Sequence, residues 1–209
     1  MRKTKFVIGE YYHIYNRGTD KRSIFQDERD LGRFWESMSD FNQIKPIGSM
    51  YEFSFIKKEG KSQKKKPLVE FIAYCLNSNH YHFLLNPLED QGIEKFMQRL
   101  GNGYTKYFNN RHKRSGVLFQ GKFKSKYINS NEYLLHLSAY INTNDQFGHQ
   151  MSKLNKSSMT EFNKGKTGGV CNTNIILEQF RNPKEYADFV SDSLKDIKLR
   201  KEMVKELEK

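Results

Sequence analysis

The run Asn79-His80-Tyr81-His82-Phe83-Leu84-Leu85 sets two imidazoles one residue apart in an aromatic and aliphatic stretch. On a strand, side chains at i and i+2 share a face. His80 and His82 would therefore converge on one side, leaving Tyr81, Phe83 and Leu85 to pack the other. Two neutral imidazoles on the open face of a sheet can hold a divalent cation, although such a pair alone is more often a solvated feature than a metal site. A second run, Leu135-His136-Leu137-Ser138-Ala139-Tyr140-Ile141-Asn142-Thr143-Asn144, has helical spacing. Tyr140 and Asn144 lie four apart and share a helix face. Leu134, Leu137 and Ile141 form a neighbouring apolar stripe that would press this helix onto the sheet. Tyr140 would then offer a phenol, and Asn144 an amide oxygen, towards the histidines. Two imidazoles and one hard oxygen leave coordination positions for a phosphate oxygen, as Mg²⁺ or Mn²⁺ prefers. His136, one turn before Tyr140, could orient or deprotonate it, but a plain surface histidine is the commoner outcome.

Elements that could position these groups are readable along the chain. Tyr11 to Tyr15 reads as a strand, closed by Asn16-Arg17-Gly18. From Glu28 to Asn42, Leu31, Phe34, Trp35, Met38 and Phe41 recur at three and four, one stripe of a helix. Asp27 is its candidate cap. Ser49 to Lys57 alternates as a second strand would, and Lys58 to Pro67 is a loop carrying Gly60 and Lys64-Lys65-Lys66. Val69 to Leu76 and Tyr81 to Leu85 are further strands, joined through Asn77-Ser78-Asn79. A second helix runs from about Ile93 to Asn110, weakened midway by Gly101 and Gly103. Val117 to Ile128 is extended and basic, and Asn129 to Glu132 offers caps for the helix of Tyr140.

This order predicts an α+β fold: a ferredoxin-like antiparallel sheet with helices on one face, plus a C-terminal helical extension. Residues 1–146 form the expected catalytic domain. Residues 147–209 would be a flexible crossing, rich in Ser, Lys, Asn, Gly and Thr, and a final amphipathic helix opened by Asn182-Pro183.

The chain of 209 residues carries 36 Lys and Arg against 24 Asp and Glu, a formal charge of +12. That balance suits a polyanionic partner, because neutralised phosphates release counterions. Cys75 and Cys171 are too few for a disulfide framework or a four-cysteine zinc site. No apolar signal region or membrane-length stretch is visible, so a cytoplasmic protein is expected. Cys75 with His80 and His82 could mimic a zinc trio, but its apolar strand favours burial. Tyr104 and Tyr107 could act as nucleophiles in principle; their helical spacing favours core.

His80-Tyr81-His82 followed about sixty residues later by Tyr140-Ile141-Asn142-Thr143-Asn144 resembles the single-tyrosine HUH transposases. Within them it is most similar to the REP-associated tyrosine transposase branch. Tyr12-His13-Ile14-Tyr15-Asn16-Arg17-Gly18, the run from Gly116 to Ser125, and Glu132 to Leu135 carry the resemblance further, over roughly Glu10 to Asn144. Two positions depart from the family pattern. Tyr81 stands between the histidines, and Asn144 is followed by Asp145 where the family commonly has proline.

The resemblance implies His80, His82 and Asn144 as ligands of Mg²⁺ or Mn²⁺ and Tyr140 as nucleophile. It further implies cleavage and rejoining of single-stranded or hairpin DNA through a 5′-phosphotyrosine, in support of transposition. Arg17, Arg111, Arg114, Lys122, Lys124 and Lys126 are the expected DNA contacts, and a homodimer is one assembly this allows. The alternative is a non-cutting hairpin-binding protein or repressor of the same fold. A replication initiator or relaxase is disfavoured by the short chain and single candidate tyrosine.

Overall fold

In a computed structural model of the protein, residues 5–48, 53, 55, 66–144, 154–164 and 169–207 are described. The chain runs through β1 (Tyr11–Arg17), α1 (Glu28–Phe41), β2 (Val69–Asn77), β3 (His80–Pro87), α2 (Gly92–Arg111), β4 (Lys124–Ile128) and α3 (Asn131–Thr143). It ends in β5 (Lys156–Ser157), α4 (Met159–Lys164), α5 (Asn174–Leu177) and α6 (Pro183–Leu207). The strands form a five-stranded sheet in the order β4-β1-β3-β2-β5, with every neighbouring pair antiparallel. The α+β antiparallel class is thus as expected.

Alternation along the strands sorts side chains between two cores. Tyr12 and Ile14 from β1, Phe71 from β2, and Tyr81, Phe83 and Leu85 from β3 pack against Phe34 and Met38 of α1 and Phe96, Leu100 and Tyr104 of α2. On the other face, Ala73, Cys75 and Leu84 meet Leu134, Leu137 and Ile141 of α3, with Phe162, Ile176, Tyr186 and Val190 from α4, α5 and α6. So α1 and α2 cover one face, while α3 and the C-terminal helices cover part of the opposite one.

One irregularity matters for the site. Phe71 pairs with Leu85 and Ala73 with Leu84, so Ile72 is an extra residue, a bulge. Because of it, Ala73, Cys75 and Asn77 face the second core rather than the first.

Helix starts follow the capping residues. The side chain of Asp27 accepts from Asp30 N, and that of Ser130 accepts from Tyr133 N. Asn182 Oδ1 accepts from Glu185 N at 2.9 Å ahead of Pro183. Gly103 weakens α2 as a helix former but permits close helix contact: a Cβ there would lie 2.4 Å from Phe41 Cζ. Gly103→Ala should therefore destabilise the protein by about 1–3 kcal/mol through overpacking, less the ~1 kcal/mol that alanine gains in a helix. Urea unfolding of the two proteins measures the difference; a stabilised variant would show that Phe41 yields freely.

Of the strand expected at Ser49 to Lys57, only Phe53 and Phe55 lie among the described residues, and both are helical. A short apolar run does not separate strand from helix. Lys64 and Lys65 lie outside the described residues. The extended run from Val117 to Ile128 is a strand only from Lys124, because Gly121 takes a left-handed turn at φ +68° and breaks the pairing before it. In the crossing after residue 147, the described part holds β5, α4 and α5. Ser158 accepts from Tyr74 N at 2.9 Å through its hydroxyl and so ties this segment to the edge of β2.

Candidate active site

Strand β3 lies between β1 and β2, with Tyr15 paired to His82, Arg17 to His80, and Asn77 of β2 also to His80. Tyr81, Phe83 and Leu85 are buried in the first core, which turns His80 and His82 to the face that carries α3. Their ring centroids are 5.1 Å apart and nearly perpendicular. On α3 the apolar stripe Leu134, Leu137 and Ile141 is buried against this face. That packing brings the Tyr140 ring within 5.8 Å of the His82 ring, edge to face. It also brings Asn144 Oδ1 to 3.1 Å from His80 Nε2. The four residues expected from the sequence to act together therefore do converge.

Neighbouring polar groups orient the imidazoles. His80 Nδ1 lies 2.6 Å from Asn79 Oδ1. That amide oxygen can only accept, and Nε2 lies 3.0 Å from the Asn77 amide nitrogen, which can only donate, so the pair of contacts fits a proton on Nδ1 and a lone pair on Nε2. His82 Nδ1 lies 2.8 Å from His13 Nε2. Burial, with a smaller effect of Lys126, lowers the His13 pKa to about 4, so at neutral pH its ring is uncharged. A proton on His82 Nδ1 then leaves His82 Nε2 basic, the form in which imidazole ligates metals.

Tyr140 is half-buried, and desolvation raises its phenol above the ordinary value while a hydrogen bond with the Asn144 side chain acts the other way. At rest it is thus a neutral phenol. Among the described residues no three His, Cys, Asp or Glu side chains cluster as metal ligands, and an amide oxygen, that of Asn144, stands beside His80. The set of two imidazole nitrogens and an amide oxygen suits a divalent cation of borderline to hard character.

Two clefts open beside these groups and share Tyr15. One, of about 510 Å³, is lined by His80, His82, Arg17 and Lys124. The other, of about 610 Å³, is lined by Tyr140, His13, His136 and Lys126. His136 is tied to α6: its Nδ1 is 3.2 Å from Ser193 Oγ and its ring packs on Phe189. Arg17 bonds Gln120 through Nε, and Lys126 lies over the Tyr133 ring at 4.8 Å.

The remaining expected DNA contacts sit elsewhere. Lys122 precedes β4 and lines a cleft with Met97 and Lys106 of α2. It therefore does not share a strand face with Lys124 and Lys126, as its even spacing suggested. Arg111 is bound to Asp27 and Asp30, and Arg114 donates to Val117 O at 2.9 Å. Conversely, His13, Tyr15, Asn77 and Asn79 are part of the site without having been expected there. Alternation could have found the first two, because His13, Tyr15 and Arg17 share a face of β1. The face of Asn77 depends on the bulge at Ile72, which leaves no sequence signature.

A sheet-borne histidine pair thus faces a helix-borne tyrosine. Residues 7–144 match the family described as "Transposase IS200 like", and the chain belongs to that family. Among solved structures the chain is similar to a REP-associated tyrosine transposase bound to a REP hairpin, with a TM-score of 0.45 and 14% identity over 73% of this chain and 76% of that one. It is also similar to a chain described as a transposase of Deinococcus radiodurans R1, with a TM-score of 0.38 and 15% identity over 68% of this chain and 95% of that one. Comparison with curated proteins gives no match. Among the described residues no helix is long and apolar enough to cross a membrane.

Proposed function

We propose that this protein cuts and rejoins single-stranded or hairpin DNA through a covalent 5′-phosphotyrosine on Tyr140, supporting DNA transposition in the cytoplasm. The observation that carries this reading is the position of Asn144, whose one amide contacts both His80 Nε2 at 3.1 Å and the Tyr140 phenol. Nucleophile and metal donors are thereby held together. His80, His82 and Asn144 would hold Mg²⁺ or Mn²⁺, which when bound would polarise the phosphodiester and stabilise charge on its oxygens.

The protein's own groups do the rest. Tyr140 Oη forms a bond to phosphorus as its proton passes to solvent, and the bond to the 3′ oxygen breaks, that oxygen taking up one proton to give a free 3′-hydroxyl. Because the phosphate stays esterified, another 3′-hydroxyl can reverse the step and join strands without a separate energy source. Arg17 and Lys124 border the histidine cleft and Lys126 the tyrosine cleft, where the phosphates flanking the reacting one would lie. Attack by Tyr140 needs a strand whose phosphate is accessible, hence the choice of an unpaired strand or hairpin.

The test is incubation of the full chain with a labelled hairpin oligonucleotide in Mn²⁺ or Mg²⁺, followed by denaturing electrophoresis. A covalent protein–DNA adduct that EDTA prevents is expected. Binding of the hairpin with no adduct under any divalent metal would instead identify a non-cutting member of the family.

Charge beside the site gives a second measurement. Replacing Lys124 and Lys126 together by alanine should weaken binding of every hairpin sequence alike. The salt dependence should flatten by about 0.7–0.9 in slope for each phosphate that is no longer neutralised, whereas Lys122→Ala, on the α2 side, should change it less. An unchanged slope in the double variant would place the DNA elsewhere.

A further inference from the structure

We infer that Asn77 is a further oxygen ligand of the cation site, beyond the two histidines and Asn144; the inference rests on the metal-dependent reading above. Asn77 is the last residue of β2 and pairs with His80 across the hairpin. Its face is set by the bulge at Ile72, which shifts the alternation so that Cys75 and Asn77 lie on the histidine side. The amide head of Asn77 stands 3.0 Å from His80 Nε2 and 2.8 Å from Asn144 Oδ1. Those two atoms are themselves 3.1 Å apart. The three atoms close a triangle.

The triangle has the dimensions of one face of a coordination octahedron. Adjacent ligands about 2.0–2.1 Å from a small divalent ion stand roughly 3 Å apart, the radius multiplied by the square root of two. Two corners are atoms already assigned to the cation. The third is held by Asn77 Nδ2, which donates one proton to each neighbour, so the three groups satisfy one another without a cation. Half a turn of the amide about its terminal torsion exchanges Nδ2 for Oδ1 with no change of shape. The centre would then face three lone-pair donors, an arrangement that is repulsive unless a cation occupies it. The group behind tolerates the turn: Cys75 Sγ lies 3.7 Å from Asn77 Oδ1, and a thiol accepts weakly as well as donating. One residue thus closes the site in the absence of a cation and coordinates in its presence.

Mn²⁺ binding to the full chain without DNA, followed by calorimetry, tests this. Asn77→Ala should raise the Mn²⁺ dissociation constant at least about tenfold, in the range seen when groups supporting a metal site are removed. Asn77→Cys should weaken Mn²⁺ similarly but gain a cadmium–thiolate absorption band beyond any that wild type shows from Cys75, because a thiolate favours soft ions. Should Asn77→Ala fail to fold by circular dichroism, the cadmium band decides alone, and its absence overturns the inference. An Asn77→Ala constant within twofold of wild type, or tighter, makes Asn77 a hydrogen-bonding strut and also overturns it. His80→Ala separates the two levels. Loss of Mn²⁺ binding there with none in Asn77→Ala removes only Asn77 from the ligand set, whereas no loss in either variant removes the metal reading itself.

Discussion

Tyr140→Phe is expected to eliminate the covalent adduct and strand cleavage while leaving the fold and the affinity for uncut hairpin nearly unchanged. The substitution removes one oxygen, the atom proposed to bond to phosphorus. Loss of a nucleophile lowers covalent catalysis by many orders of magnitude, here on the order of 10³-fold or more. The ring would still pack edge to face on His82 and beside the second core. The hydrogen bond with Asn144 disappears, worth about 1 kcal/mol. The other tyrosines near the helices are poorly placed to substitute. Tyr104 is 1% exposed and donates its hydroxyl proton to Ile24 O at 2.7 Å, and Tyr107 donates to Asp30 at 3.3 Å. Denaturing electrophoresis after incubation with hairpin and Mn²⁺ reads the result. A persistent adduct would move the nucleophile to Tyr15, which borders both clefts.

How far this site could be read from sequence depends on which geometry each residue obeys. His80 and His82 follow the strand period, and Tyr140 and Asn144 the helix period. Both periods are properties of the local backbone, so their shared faces were readable. The face that α3 turns to the sheet was also readable, because Leu134, Leu137 and Ile141 form one apolar stripe. Contacts between elements were not. His13 reaches His82 because β1 and β3 pair in one particular register, and a register is a relation between two segments. Asn77 faces the site because of an inserted residue at Ile72, and Lys122 leaves it because Gly121 turns the chain. Charge was the least readable of all. The run Arg111-His112-Lys113-Arg114 looks like a patch for phosphate, yet its first two side chains are spent on carboxylates more than eighty residues earlier.

That last interaction sets the largest stability effect expected: Asp30→Ala should cost about 3–5 kcal/mol, the range for breaking a buried charge pair. Asp30 is completely buried near the start of α1. One carboxylate oxygen accepts from Arg111 Nη1 at 2.5 Å and from Tyr107 Oη at 3.3 Å. The other accepts from Gln26 N at 3.0 Å and stands 2.8 Å from His112 Nε2. Alanine leaves all four groups without this acceptor, and Arg111 keeps only its bonds to Asp27. The ties between α1 and the end of α2 would loosen, and with them the first core behind Tyr81 and Phe83, which holds β3 in place. A loss of this size is a large share of the roughly 5–15 kcal/mol by which domains are stable. Urea unfolding followed by circular dichroism measures it, and a loss below about 1 kcal/mol would show that the carboxylate does not organise these helices. Because Asp30 sits on the sheet face opposite Tyr140, adduct formation per folded molecule should be preserved well below the unfolding midpoint. Arg111→Ala should likewise lower stability while leaving the salt dependence of hairpin binding unchanged; a flattened slope in that variant would return Arg111 to the DNA.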